Sequence, residues 1–242
     1  MMLLLSQFTY ACELTARINS FPPKKFVDSE GNLAGLEVEI IRAVEQQSGH
    51  CINLIEAPWG RSIELLKSGQ LDLILNFSHS KEREKFTHYI GPYGLEVMAL
   101  MVNDYVKFPM ENLEDLQHFK GHIGREKNSW QGNTFAHLFE TNKKFKERFV
   151  EVTSHPQKLA MLKAGRISGA IVQRINASHL IKTSNEYKDF KLLPFDINTT
   201  EVYIGASKKT VNSAMAAHLQ KTVETLKTNG VLDNIWRKYN LP

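Results

Sequence analysis

The sequence predicts an α/β protein built as two similar lobes with a ligand cleft between them. Three observations predict it. Strand-like apolar runs alternate with helix-period segments between residues 12 and 77. The run Leu71-Asp72-Leu73-Ile74-Leu75-Asn76-Phe77 is too continuously apolar for a half-exposed strand and reads as buried on both faces, as in a parallel sheet. The segment Glu64-Leu65-Leu66-Lys67-Ser68-Gly69-Gln70-Leu71 recurs as Ala160-Met161-Leu162-Lys163-Ala164-Gly165-Arg166-Ile167, each copy ending a helix at Gly and entering an apolar strand.

The elements follow in order. A first strand is expected over 12–18, ended by Phe21-Pro22-Pro23, and Asp28-Ser29-Glu30-Gly31-Asn32 is a turn of residues that tolerate tight backbone geometry. The next helix carries Leu36, Ile40 and Val44 on one face, Glu37 and Glu39 near its positive start and Gly49 as its C-terminal cap. A strand over 51–56 leads through Pro58-Trp59-Gly60 into a short helix with Ile63 and Leu66, stopped by Gly69, and the 71–77 strand completes βαβαβ. In the second half, Gly121-His122-Ile123-Gly124 starts a strand, 133–149 reads as one amphipathic helix and 169–172 as a strand. Residues 211–227 form a helix with Leu219, Val223 and Leu226 inward, Gly230 stops it, and 231–239 form a last helix. Apolar strands at 97–102 and 202–206 flank the middle lobe, so the chain crosses between lobes twice.

Composition excludes several function classes. With 42% hydrophobic and 23% charged residues, and with 13 Phe, 7 Tyr and 3 Trp, the chain is globular rather than disordered. A net charge of +4 without a basic cluster gives no footprint for nucleic acid. The densest basic stretch, Lys143, Lys144, Lys146 and Arg148, is interrupted by Phe145, Glu147 and Phe149 and reads as a solvated helix face. No run approaches the roughly eighteen apolar residues of a membrane span. Met1-Met2-Leu3-Leu4-Leu5, with Thr9-Tyr10-Ala11 as an imperfect cleavage site, looks like the end of an export signal lacking its basic start; the alternative is an irregular arm over 1–11.

Cys12 and Cys51 each open a strand, so their side chains come within disulfide reach if those strands are parallel neighbours; the alternative is two buried free thiols. Closing so long a loop would contribute roughly 4 kcal/mol in the chain-entropy model. No metal site is predicted, because neither Cys has a CxxC partner and His118 and His122 flank the helix-breaking Phe119-Lys120-Gly121. Without a GxSxG, P-loop, GxGxxG or HExxH pattern, hydrolase, nucleotide and zinc chemistry have no foothold, and no cofactor is expected.

Several short motifs, in order, carry a resemblance: Phe21-Pro22-Pro23, Gly31-Asn32-Leu33-Ala34-Gly35-Leu36-Glu37-Val38-Glu39, Pro58-Trp59, Leu66-Lys67-Ser68-Gly69-Gln70-Leu71-Asp72, Ser80-Lys81-Glu82-Arg83, Gly91-Pro92-Tyr93, and Asn229-Gly230-Val231-Leu232 before Trp236. Over residues 12–240 the chain resembles the bacterial extracellular solute-binding proteins of family 3, periplasmic receptors for polar amino acids and related small molecules. The resemblance implies the type 2 periplasmic binding fold, with lobe 1 from residues 1–96 and 200–242, lobe 2 from 97–199, and a two-strand hinge that closes the lobes over a ligand. It also implies a periplasmic location, a membrane permease as partner, and a monomer.

Arg83 leads the candidate ligand-binding residues. It follows a buried strand and Ser80, an N-cap for a short helix, so a planar fork of donors stands beside free backbone N–H groups, which suits a carboxylate. The resemblance implies the same role; the alternative is a surface Arg paired with Glu82 or Glu84. Replacing it by Ala is expected to abolish carboxylate binding with little change in melting temperature. Asn76 and Ser78 leave the same strand and offer amide and hydroxyl contacts, or else cap the loop. Trp59 and Phe21 stand where the family places aromatic walls, core packing being the alternative for Trp59.

Lobe 2 departs from the family's amino-acid pattern. Where receptors for α-amino acids carry Gly-Ser/Thr, this chain has Glu126-Lys127-Asn128-Ser129-Trp130; Asn128 can replace Gly because Asn tolerates a left-handed backbone, and Ser129 survives. Gln173 aligns with the Asp that holds the ligand ammonium, and a neutral amide cannot compensate a desolvated ammonium as a carboxylate does. Either Glu126 supplies that charge or the ligand is not a plain α-amino acid; Trp130 suggests a pocket reshaped for a different or more aromatic ligand.

The expected function is therefore non-catalytic: an exported protein that captures a small carboxylate-bearing solute for an ABC-type permease. Two alternatives stand beside it. One is a cyclohexadienyl-dehydratase-like enzyme on the same fold, for which Glu126 and Glu201 are the available acids; the other is a ligand sensor acting through a protein partner.

Overall fold

The computed structural model describes residues 13–19 and 21–239. The first lobe opens with β1 (Leu14–Ile18), a short hairpin of β2 (Phe26–Val27) and β3 (Leu33–Ala34), and α1 (Leu36–Ser48). Asp28 makes the hairpin turn by accepting the N–H groups of Glu30 and Asn32, each at 2.9 Å. Buried Leu36, Ile40 and Val44 form the apolar stripe of α1, and Gly49 closes it at φ 79, where a side chain would be strained. Next come β4 (Ile52–Glu56), α2 (Trp59–Ser68) and β5 (Leu73–Ser78), in which every residue is buried.

The four-residue α3 (Lys81–Glu84) then leads into β6 (Thr87–Asn103), the first of two very long strands. Beyond a 3₁₀ turn at Leu113–His118, the second lobe contains β7 (Ile123–Glu126), α4 (Asn133–Thr141), α5 (Lys143–Lys146) and β8 (Phe149–Val152). The single helix expected over 133–149 is thus broken. Asn142 adopts an extended conformation and its side chain accepts the Phe145 N–H at 3.0 Å, restarting a short helix, after which Phe149 begins a strand. The lobe ends with α6 (His155–Lys163), β9 (Gly169–Gln173) and α7 (Arg174–Thr183). The second long strand, β10 (Phe190–Ser207), precedes α8 (Ser213–Thr228) and α9 (Val231–Tyr239).

One mixed sheet runs through both lobes in the order β4-β1-β5-β10-β6-β9-β7-β8. The short strands expected at 97–102 and 202–206 are segments of β6 and β10, which pair antiparallel across the middle, with Val97 opposite Thr199 and Glu96 opposite Thr200. Periodicity marks only the most apolar part of such a strand, so its polar stretches were invisible to it. The two largest of four separate cores among the described residues flank this crossing. One gathers Leu14, Leu36, Leu73 and Tyr93 with Val202, Leu219 and Tyr239 from the other end of the chain; the second gathers Met98, Phe119, Phe145, Ile171 and Ile197. Trp236 pins α9 to β6 by donating from Nε1 to the Tyr93 carbonyl at 2.8 Å, over Gly94, where a Cβ would meet the indole at 2.2 Å. Among the described residues no helix is long and apolar enough to cross a membrane.

Candidate functional site

β1 is parallel to both β4 and β5, so the loops leaving all three strands emerge on one side and form the first wall of a cleft. Asn76 adopts φ 53 near the end of β5, a left-handed conformation that Asn tolerates. Its N–H donates to the Tyr93 hydroxyl at 2.8 Å and its amide donates to Glu37. Glu37 is 1% exposed and also accepts from Asn19 N and Nδ2 at 2.5 and 2.6 Å, with the Lys24 ammonium at 3.4 Å. A buried carboxylate so fully satisfied locks the loops of the wall in place.

Ser80 caps α3 by accepting the Arg83 N–H at 3.3 Å, which turns the Arg83 side chain inward. Its guanidinium donates from Nη1 to the Ser78 carbonyl at 2.9 Å and lies 4.7 Å from the Phe77 ring and 5.5 Å from the Trp59 ring. Arg83 is 8% exposed, so it is neither a surface residue nor an ion-pair partner of Glu82 or Glu84. Arg17, 5% exposed, donates from Nε to the Ala57 carbonyl at 3.1 Å, while its Nη1 is buried without a partner.

The second wall comes from the other lobe, where parallel β7 and β9 present Glu126 and Gln173 at their C-terminal ends and α6 begins beside them. Asn128 adopts φ 62, as expected of a residue standing in for Gly. Its carbonyl faces the first wall and accepts from Trp59 Nε1 at 3.0 Å and from Arg83 Nη2 at 3.2 Å. Two further contacts join the walls: Phe21 stacks on His155 with centroids 4.3 Å apart and planes 14° apart, and Asn176 donates to the Pro22 carbonyl at 3.0 Å. Between them lies a cavity of about 360 Å³.

The sequence model of the bacterial extracellular solute-binding proteins, family 3, matches residues 15–242. The chain belongs to this family. It is 25% identical over 171 residues to the L-cystine-binding protein TcyJ of Escherichia coli (strain K12), covering 69% of this chain and 60% of that relative's length. Two solved structures share the fold: an ancestral arginine-binding protein bound to glutamine, with TM-score 0.77, 21% identity and coverage of 93% and 96% of the two chains, and a histidine kinase sensor domain similar to periplasmic binding proteins, with TM-score 0.78, 19% identity and coverage of 95% and 96%.

In this family 3 protein all nine residues singled out in the sequence line the one cavity: Phe21, Trp59, Asn76, Ser78 and Arg83 on the first wall, Glu126, Ser129, Trp130 and Gln173 on the second. Several are already committed to other partners. The Asn76 amide serves Glu37, and the Ser129 hydroxyl donates to the Glu126 carbonyl at 2.6 Å and accepts from Gln131. Gln173 donates to Glu96, leaving its own Oε1 buried without a partner. Trp59 fills both proposed roles, packing beside Phe77 at 6.3 Å between ring centroids while facing the cavity. Glu201, the second acid weighed for an enzyme, is exposed, accepts from the Tyr203 hydroxyl at 2.8 Å and does not line the cavity.

Arg17, Glu96, His155 and Lys158 also line the cavity, and sequence reasoning missed them. Burial lowers the Lys158 pKa to about 8, with Glu126 and Glu96 opposing the shift. Desolvation likewise raises Glu96 and Glu126, partly offset by Lys24 for the first and by Lys158 and Arg17 for the second. His155 is held well below its ordinary value, first by desolvation and then by Lys158 and Lys24, so the imidazole on Phe21 is neutral. The site is a desolvated constellation of unlike charges suited to binding a charged solute. Among the described residues no group of His, Cys, Asp and Glu side chains could hold a metal ion.

Cys51 directly precedes β4, and β4 is the parallel neighbour of β1, with Leu14 opposite Ile52. Cys12 and the 1–11 arm lie outside the described residues.

Proposed function

We propose that this chain is an exported, monomeric binding protein that captures a small carboxylate-bearing polar solute, an amino acid or a derivative, and presents it to an ABC-type membrane permease. Its lobes are residues 1–96 with 200–242 and residues 97–199, joined where Glu96 and Val97 pair with Thr200 and Thr199. The observation that carries this reading is the placement of Arg17 and Arg83, both nearly buried, at a cavity whose opposite wall comes from the other lobe. A solute touching both walls favours the closed form by its differential affinity, which is how a hinge protein reports occupancy to a partner. Family membership and the substrate-binding names of the relatives support the same reading. No catalytic role is assigned, and a Cys12–Cys51 disulfide is proposed from the adjacency of β1 and β4.

The test is a thermal-shift screen of amino acids, opines, small dicarboxylates and aromatic acids, followed by calorimetry with wild-type and Arg83→Lys protein. A carboxylate solute present at 100 times its dissociation constant stabilises the protein by about 2.7 kcal/mol. Lys keeps the charge but not the planar fork, so its affinity should fall at least tenfold. A screen in which no carboxylate shifts the melting curve refutes the proposal, and turnover of a prephenate-like substrate would replace it with the enzyme.

A further inference from the structure

We infer that the solute carries two carboxylates, one received by the Arg17 and Arg83 side of the cleft and the second by Lys158 on the opposite wall. This deepens the carboxylate-receptor reading and rests on it.

Lys158 projects from the first turns of α6, is 3% exposed and lines the cavity. Among the described residues its ammonium forms no ion pair and no side-chain hydrogen bond; Glu126 and Glu96 act on it only at longer range. Buried ammonium groups without a partner are costly, which makes an unpaired one at a cavity wall a receptor for an anion. The contrast with Lys24, equally buried, is direct, since Lys24 has Glu37 at 3.4 Å.

The cationic groups stand on opposite walls of the cavity, Arg17 and Arg83 on the first and Lys158 on the second. On the first wall Arg17 Nη1 is buried and unpartnered, and the Arg17 and Arg83 guanidiniums lie 5.4 and 5.5 Å from the Trp59 ring, so one anionic group is already called for there. With that carboxylate in place, a solute lacking a second one would close the cleft over Lys158 with its charge still uncompensated. Glu126 does not remove the need: burial raises its pKa, and it is shared between Lys158 and Arg17 rather than paired with either. Gln173 fits the same picture, because its unpartnered Oε1 is an acceptor suited to a solute N–H or O–H, not a charge able to hold an isolated ammonium.

The test is calorimetry on three matched pairs: succinate against succinamate, L-glutamate against L-glutamine, and L-cystine against S-methyl-L-cysteine. The first member of each pair has two carboxylates and the second has one, while the pairs differ in the amines they carry. In at least one pair the two-carboxylate solute should bind at least tenfold more tightly. Lys158→Gln should reduce that affinity at least tenfold and leave the affinity of its one-carboxylate partner unchanged or raised. One-carboxylate solutes that bind as well as or better than their counterparts in every pair overturn the inference and leave the carboxylate receptor standing. If none of the six binds, the inference falls; the receptor reading falls with it only if the wider screen of carboxylates is also flat. The pair comparison uses wild-type protein, so a Lys158 variant that fails to fold does not block the test.

Discussion

The guanidinium of Arg83 donates to the backbone carbonyl of Asn128 at 3.2 Å, joining the two walls of the cleft by a charge-assisted hydrogen bond. Arg83 therefore does more than wait for a solute: its Nη1 also satisfies the Ser78 carbonyl, and its plane covers Phe77. Contrary to the expectation from sequence, Arg83→Ala should lower stability as well as binding, by about 2 kcal/mol, because it leaves a buried carbonyl unsatisfied. Urea unfolding at neutral pH checks this; an unchanged transition midpoint and slope would contradict the packed role.

Trp59 shares the same acceptor. Trp59→Phe keeps the ring beside Phe77 and removes only the indole donor to Asn128. Closure should weaken by about 1 kcal/mol, seen as a roughly fivefold loss of solute affinity, with the rate of solute release rising. Stopped-flow release measurements on the two proteins test it.

Lys158 makes apo stability depend on alkaline pH. Its folded pKa of about 8 lies below the ordinary 10.5, so between those values the unfolded chain binds more protons and stability rises with pH. The groups acting on it, Glu126 and Glu96, only reduce the shift. Lys158→Met should thus be more stable than wild type at pH 7, by up to about 3 kcal/mol, and the two should converge towards pH 10. A bound carboxylate holds the proton on Lys158, so solute affinity should fall above pH 8 in wild type alone. Melting curves and calorimetry across pH 7 to 10 read both effects.

His155 works in the acid range. Its folded pKa is depressed well below 6.5 by burial, Lys158 and Lys24, so stability is complete above about pH 6.5 and is lost as the pH falls towards the folded value. His155→Phe retains a ring against Phe21 and cannot titrate. Between pH 7 and 5 the wild-type melting temperature should fall more steeply than that of His155→Phe; parallel curves would show that this imidazole does not control the contact.

Much of the site was legible because its signals are local. Asn128 standing for Gly, Ser80 three residues before Arg83, and aromatic Trp59 after Pro58 are each readable from a few neighbouring residues; Trp59 and Arg83 line the cavity, and the Asn128 carbonyl accepts from both. The residues that were missed are those whose meaning depends on distant partners. Lys158 looks like one more charge on a helix, Glu96 is one polar residue in a long strand, and Arg17 sits in a mostly apolar strand. Nothing near them in the chain distinguishes buried charge from solvated charge.

Periodicity and turn chemistry, which act over a handful of residues, were enough to predict an α/β chain with strands and helices alternating over its first third and a repeated helix-Gly-strand unit, but not the break at Asn142 or the full length of β6 and β10. Only the tertiary structure decided which ammonium and guanidinium groups lose their water, which carbonyl they share and which remain unpaired. Desolvation and hydrogen-bond geometry arise from segments far apart in the chain brought within a few ångströms, and no short stretch of sequence contains them.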